Sequence, residues 1–374
     1  MKKRFLTYLF LAILSGILFF GLRPKGFYFC NNARWNNDQT GIHFDKYSMA
    51  YTDSSFVQPG SRSDIQGSIS VEIALKPSIM NDDRFKIILV LYNGEDSKQF
   101  LIGQWHSSII LMNGNDYNGK QKTKKIAVRE ALLPLKKRFL TITSGEGGTK
   151  VYIDGQFAGA KKDLLLKVPD ESVRARLIFG NSAYGNNYWI GDIYGLAIYG
   201  HKLTARDAKL HFKRWVKDQN FSFARDAEPE ALYIFNEKSG EMAFDQAGGN
   251  HHLKIPSKMH ILRKEVLGFP WNGIKMGRSF LIDIFLNILG FIPLGFLLNA
   301  ILLNKDGFLE QHSCLITVSF CFMISLGIEL AQSWMPSRSS QMLDLILNTF
   351  GGYLGVIFYR FYLSLKEKGI RNYL

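Results

Sequence analysis

Three apolar runs toward the end of the chain each carry a pair of polar residues at helical spacing. Asp283 and Asn287 are four apart, Glu329 and Gln332 three apart, and Asp344 and Asn348 four apart, with Arg338 between the last two runs. Residues three or four apart share a helix face. Ionisable groups among apolar residues are costly, so they face one another or a cavity. Two arrangements fit. In one, Glu329 and Asp344 are acid and base on a lipid-linked substrate, Arg338 clamps its phosphate, and Asp283, Asn287, Gln332 and Asn348 help bind it. In the other, Arg338 neutralises a carboxylate and the amides tie helices together. None of the runs holds a His, and Ser325 has no evident partner, so no nucleophile–base pair is read.

The elements that must position these residues are membrane spans. Phe280–Leu303, Ser313–Trp334 and Met342–Leu363 are each long enough to cross a bilayer, and the loops Asn304–His312 and Met335–Gln341 join them. A fourth run follows Lys2, Lys3 and Arg4 and continues to Leu22. It lacks a small-residue cleavage pattern and reads as an uncleaved anchor. Basic residues mark the cytoplasmic side of spans. The N-terminus and the tail bearing Lys366, Lys368 and Arg371 are therefore expected in the cytoplasm, and four crossings agree with that. The stretch from about Arg23 to Arg278 is then extracytoplasmic, and all three polar pairs fall in the outer leaflet. Gly351 and Gly355 form a small-residue face for close helix packing. Pro293-Leu-Gly295 is expected to loosen its helix.

Between the first two spans the pattern turns to period-two alternation. Ser68-Ile-Ser-Val-Glu-Ile-Ala-Leu75, Phe85–Tyr92, Gln104–Met112, Arg138–Thr143 and Lys150–Ile153 read as strands. Asn93-Gly94, Asn113-Gly114 and Asp154-Gly155 are hairpin signals. Short strands without intervening helices indicate a two-sheet sandwich. One helix follows, capped by Thr204 with Asp207 three residues on and Leu203 placed to pack on Ala208. Trp105, Tyr188 and Trp189 could stack on sugar rings. The paired carboxylates a glycosidase needs are not seen on any strand.

The composition sets outer limits. With 374 residues, 47% of them hydrophobic, the chain is neither disordered nor low in complexity. Cys30, Cys314 and Cys321 cannot build a disulfide framework or a zinc site. Cys314 and Cys321 read as apolar fillers within a span, and Cys30 is either buried or a reactive thiol. The net charge of +14 points to an anionic partner. Nucleic acid is disfavoured, because the cations are scattered and the soluble domain faces outward.

Two resemblances follow from these motifs. Thr149-Lys-Val-Tyr-Ile-Asp-Gly-Gln-Phe-Ala158, then Tyr188-Trp-Ile-Gly-Asp-Ile-Tyr-Gly-Leu-Ala-Ile-Tyr199 and a short helix, resemble the laminin G-like, concanavalin A-like jelly roll. Leu232-Tyr-Ile-Phe-Asn-Glu-Lys-Ser-Gly240, with Asp245, is similar to a strand and turn that usually come first in that family; here they would complete the sandwich from its C-terminal side. The resemblance implies carbohydrate or calcium binding, or contacts alone. Calcium-binding members carry acids where this chain has Tyr194 and Gly195, so no cofactor is expected and calcium is disfavoured, although Asp192 is nearby.

Asp283-x-x-x-Asn287-Ile-Leu-Gly-Phe-Ile-Pro-Leu-Gly-Phe-Leu-Leu298, Ser325-x-x-Ile-Glu329-x-x-Gln332, Arg338 and Asp344-x-x-x-Asn348-x-x-Gly-Gly352 resemble the VanZ-like family. That family often has an Asp after the Arg, where this chain has Ser339-Ser340-Gln341. The resemblance implies a role in the bacterial cell envelope, in polysaccharide handling or glycopeptide tolerance.

The expected protein is multidomain: an α-helical membrane bundle of about four transmembrane helices plus an all-β jelly-roll sandwich. The expected divisions are an anchor at 1–25, a sandwich at 38–255, a linker at 256–279, a VanZ-like membrane domain at 280–364 and a cytoplasmic tail at 365–374. It would sit in the inner membrane as a multi-pass protein. Its expected partners are membrane lipids and a glycan or anionic envelope polymer, and an oligomer is compatible with the sequence. Cysteines introduced across 38–218 should label with an impermeant maleimide in intact cells, while those in Asn304–His312 should label only after lysis. External labelling of Asn304–His312 would refute this topology.

Overall fold

The computed structural model describes residues 2–22, 30–37, 40–53, 68–78, 84–92, 94, 100–114, 122–166, 175–259, 261–263, 266–269, 278–335, 338 and 340–371. Arg23-Pro24-Lys25, Asp38, Asn93 and Ser339 lie outside them, as do the side chains of Lys2, Lys3, Lys368 and Arg371. The chain divides into two units: Phe29–Leu262, and Met1–Tyr28 with Arg263–Leu374.

The first unit is a β-sandwich. In chain order its strands are β1 (Arg34–Trp35), β2 (Ile42–Phe44), β3 (Ala50–Thr52), β4 (Ile69–Pro77), β5 (Lys86–Tyr92), β6 (Phe100–Trp105), β7 (Ser108–Asn113) and β8 (Lys125–Val128). They continue with β9 (Arg138–Gly145), β10 (Gly148–Ile153), β11 (Gln156–Lys161), β12 (Arg176–Phe179), β13 (Gly191–Tyr199), β14 (Ala231–Tyr233), β15 (Met242–Ala243) and β16 (Leu253–Lys254). One sheet runs β1-β2-β13-β4-β9-β10-β11, with β14 also on β13; the other runs β15-β16-β3-β12-β5-β6-β7-β8. Ile73, Leu75, Leu140, Ile142, Leu89, Leu91, Phe179 and Trp189 are among the residues packed between them. The late segment Leu232–Gly240 does join the sandwich through β14, which pairs with β13, and β16 beyond it pairs with β3.

Two local features differ from the sequence reading. Gln104–Met112 is not one strand. His106 takes a positive φ of 50°, and Gln104 Nε2 donates to the His106 carbonyl at 2.7 Å, closing a turn that no Asn-Gly announces. The sandwich unit is also wider than 38–255. The Asn31 side chain donates to the carbonyls of Met49 and Pro256, both at 2.8 Å, and so fastens the two ends of the unit together. Asp154 and Gly155 both have positive φ, 52° and 72°, as a tight β10–β11 hairpin requires.

Helix α2 (Ala205–Asp218) covers the outer face of the first sheet. Thr204 caps it, its hydroxyl accepting from the Asp207 amide while Asp207 accepts from the Thr204 amide. Leu203 and Ala208 are both buried, Leu203 within the apolar layer beneath the helix.

The second unit contains α1 (Lys2–Leu22), α3 (Arg278–Leu302), α4 (Phe308–Gln311), α5 (Ser313–Gln332) and α6 (Met342–Arg371). All but the short α4 are long and apolar enough to cross a membrane. Pro293 is accommodated within a continuous α3. Helices α3 and α6 touch backbone to backbone: a β-carbon at Gly351 would overlap the Ile288 carbonyl, and one at Gly355 the Ile292 carbonyl. The paired numbers rise together, so α3 and α6 run in parallel. Ser325 meets Asn348 and Cys321 meets Gly352, numbers that run oppositely, so α5 is antiparallel to α6. Phe10 packs on Phe320 and Gly21 on Ile328, which makes α1 parallel to α5. The chain thus traverses the bundle four times and ends on the side where it began. Among the cysteines, Cys321 is buried, Cys314 half-buried and Cys30 exposed.

A leucine at Gly351 has no room against the Ile288 carbonyl, and overpacking of this kind costs about 1–3 kcal/mol. Gly351→Leu should lower the yield of monodisperse protein after detergent extraction several-fold, whereas Gly290→Leu, where nothing lies within 4 Å of an added β-carbon, should extract normally. Equal yields would contradict the close α3–α6 contact.

Candidate functional site

The polar pairs gather at one end of the bundle, where α1 and α5 end and α3 and α6 begin. Asn287 Nδ2 donates to Asp344 Oδ1 at 2.7 Å, joining α3 to α6. Asn348 Nδ2 donates to Ser325 Oγ at 3.0 Å, joining α6 to α5. Gln332 Nε2 donates to the Gly21 carbonyl at 2.8 Å, joining α5 to the last turn of α1. Each amide satisfies a group that would otherwise sit unpaired in an apolar setting.

Glu329 is 2% exposed, and its Oε2 accepts the Gln341 amide at 2.8 Å. That contact folds the α5–α6 loop back over the carboxylate. The loop is held from a second direction by residues 266–269, part of the stretch expected as a linker. Leu267 N–H donates to Ser340 Oγ at 3.1 Å, Gly268 N–H to the Ser340 carbonyl at 2.8 Å, and Met342 N–H to the Gly268 carbonyl at 3.1 Å. Asp283 and Arg338 are exposed, and neither forms an ion pair among the described residues. Arg338 and Asp344 nevertheless act electrostatically on Glu329, and Asp283 and Arg338 on Asp344. The arrangement is a rim of Asp283, Asp344 and Arg338 with Glu329 beneath the loop.

Sequence reasoning missed several participants. Ser325 has a partner, Asn348, that no spacing within one helix reveals. Ser340 and Gln341 hold the α5–α6 loop, and no spacing marks them. Asn299 on α3 is fully buried, with neither side-chain polar atom bonded among the described residues, and nothing in its spacing marks it.

The three sandwich aromatics separate. Trp189 is not a sugar platform: it is fully buried in the core, its indole N–H donating to Gln104 Oε1 at 2.6 Å. Tyr188 is half-buried, with Arg84 over its ring at 4.9 Å and donating to its hydroxyl at 2.6 Å. Trp105 is 37% exposed at the β6–β7 turn, edge-on to His106.

Asp192 is fully engaged. His43 Nδ1 and Lys76 Nζ each approach it to 2.7 Å, and Tyr194 donates to it at 3.2 Å. Burial pushes its carboxyl up, but the hydrogen bonds from His43 and Lys76 and the Lys76 charge outweigh that and hold it below the usual aspartate range. Its lone pairs are thus committed to side chains of the domain.

Residues 234–363 match the profile of the VanZ/LLP1 family. The match begins within the last strands of the sandwich and includes α3, α5 and every polar pair. No curated protein sequence matches the chain. Among solved structures, a protein from Bacteroides ovatus described as a candidate carbohydrate binder is similar at 12% identity and a TM-score of 0.37, over 61% of this chain and 58% of its own. The receptor-binding domain of a botulinum neurotoxin C/D mosaic serotype is similar at 17% and 0.40, over 50% of this chain and 46% of its own. The CBM40 of the Ruminococcus gnavus IT-sialidase, bound to α2,3-sialyllactose, is similar at 10% and 0.34, over 46% and 96%. The chain thus spans little more than half of the first and less than half of the second.

Asn287→Leu strands the Asp344 acceptor and should cost about 1–3 kcal/mol, read as a clear fall in melting temperature in detergent. Asp283→Asn, at an exposed residue, should stay within about 0.5 kcal/mol. Equal effects would mean that Asn287 does not hold the helices together.

Proposed function

We propose that this is a multi-pass protein of the bacterial cytoplasmic membrane whose sandwich lies outside the cytoplasm and binds a glycan or anionic envelope polymer. One observation carries the reading. The polar end of the bundle is the end at which α1 stops and α3 starts, so the sandwich is inserted into the chain at that end. An uncleaved α1 is supported by its packing on α5 and by the Gln332–Gly21 bond. The net charge of +14 favours an anionic partner, part of it reflecting topology. A role in envelope polysaccharide handling or glycopeptide tolerance accords with the VanZ-like match.

A second reading is favoured by Arg338. A neutralising arginine in a structural network touches its carboxylate, yet Arg338 is exposed and forms no ion pair among the described residues. In this reading Arg338 clamps the phosphate of a lipid-linked substrate, and Glu329 and Asp344 serve as acid and base. Such clamps use arginine for its planar fork of donors.

Glu329→Gln, Arg338→Ala and Asp344→Asn separate a site from a scaffold. Each is expected to abolish the envelope phenotype, measured as glycopeptide susceptibility, with protein abundance nearly unchanged. If the network were structural, losing Arg338 alone would leave acids unpaired, at a cost of about 3–5 kcal/mol, and would deplete the protein. The double change Arg338→Ala with Asp344→Asn would then restore abundance and function together. Function restored in the double variant would refute the site.

A further inference from the structure

The outer face of α2 carries cations in a row. Arg206, Lys209, Lys213 and Lys217 are all exposed, and none forms an ion pair among the described residues. At 1.5 Å of rise per residue they step along the helix by roughly 4.5, 6 and 6 Å. The acids on this helix do not break the row. Asp207 is bound to Thr204 in the cap, and Asp218 stands at the last residue.

The helix is also held stiffly. Its opposite face buries Ala208, His211 and Trp215, and His211 Nδ1 meets the fully buried Glu72 at 2.9 Å. Thr141 and Tyr199 each donate to Glu72 as well, both at 2.9 Å, so the anchor is saturated. The backbone that carries the row of cations is therefore fixed on the sheet.

A large apolar ring lies close by. The β10–β11 turn packs on α2, where a β-carbon at Gly155 would stand 3.0 Å from the Lys209 backbone. Two residues on, Phe157 is 63% exposed. Leu210 and Val216 are part-exposed between the cations. The broad apolar face that a helix needs to lie in a membrane interface is, on α2, already spent against the sheet. A one-dimensional row of cations beside one ring matches a linear chain better than a plane of headgroups.

We propose that this face binds a linear anionic glycan polymer, with Arg206, Lys209, Lys213 and Lys217 taking successive phosphate or carboxylate groups and Phe157 stacking on a sugar ring. The proposal rests on the reading that the sandwich binds an envelope polymer, and it names the site. Binding of this kind releases counterions and weakens steeply with salt.

The test uses the full chain in nanodiscs of zwitterionic lipid, with fluorescent linear polyphosphate and fluorescent polygalacturonate as probes. A row variant carries Arg206→Gln, Lys209→Gln, Lys213→Gln and Lys217→Gln. A control variant carries Lys122→Gln, Lys136→Gln, Lys238→Gln and Lys258→Gln, at cations exposed elsewhere on the sandwich. The wild type should bind at least one probe, the row variant at least tenfold more weakly, and the control within twofold. The salt slope should become shallower by about 0.7 for each cation that contacts the polymer. Phe157→Ala should weaken polygalacturonate several-fold and leave polyphosphate unchanged. Equal losses in the row and control variants would overturn the site while leaving polymer binding intact. Failure of the wild type to bind either probe would overturn both the site and the reading beneath it. Binding to phosphatidylglycerol vesicles alone, lost in the row variant, would overturn the polymer in favour of a membrane surface.

Discussion

The backbone contact between α3 and α6 sets the register on which the polar end of the bundle depends. With no side chain at Gly351 and Gly355, the two helices approach until Ile288 and Ile292 carbonyls meet the glycine α-carbons. That distance and phase put Asn287 beside Asp344. Shifting one helix by a turn would separate them and strand both groups among apolar side chains. In lipid there is little hydrophobic drive between helices, so close packing and interhelical hydrogen bonds must supply the association.

The other amides extend the same logic to the remaining helices. Asn348 brings in α5 through Ser325, and Gln332 brings in α1 through the Gly21 carbonyl. The amides therefore do the tying, with the Asp344 carboxylate as the acceptor for Asn287, which leaves Asp283 and Arg338 outside the list of structural necessities. Glu329 is an intermediate case, since its buried carboxylate organises the loop through the Gln341 amide while it also feels the charges of Asp344 and Arg338.

The sandwich solves a different problem. A domain inserted between two spans must have both its ends in one place, and Asn31 achieves this by bonding to Met49 and Pro256 at once. Its outer layer is organised around Glu72, a fully buried acid whose oxygens are taken by Thr141, Tyr199 and His211. A buried polar group of this kind is tolerable only when hydrogen-bonded. It contributes a fixed orientation for α2, and through α2 for the cations on the outside.

Much of this was legible in the sequence because it depends on local pattern. Span length, the Thr204–Asp207 cap, the Asp154-Gly155 hairpin and the small-residue face of α6 are all set by residues within a few positions of one another, where helix and strand periods govern. The common end for the three polar pairs also followed, since alternate crossing directions fix depth. Partnership across elements was not legible. Ser325 with Asn348, Gln332 with Gly21 and Gln341 with Glu329 join residues whose proximity is decided by helix rotation and by a loop's path. Trp189 shows the limit most clearly: it lies in the irregular segment just before β13, where no strand or helix period assigns a side chain to core or solvent. The choice was made by the second sheet, which supplied Gln104 to the indole and buried the ring.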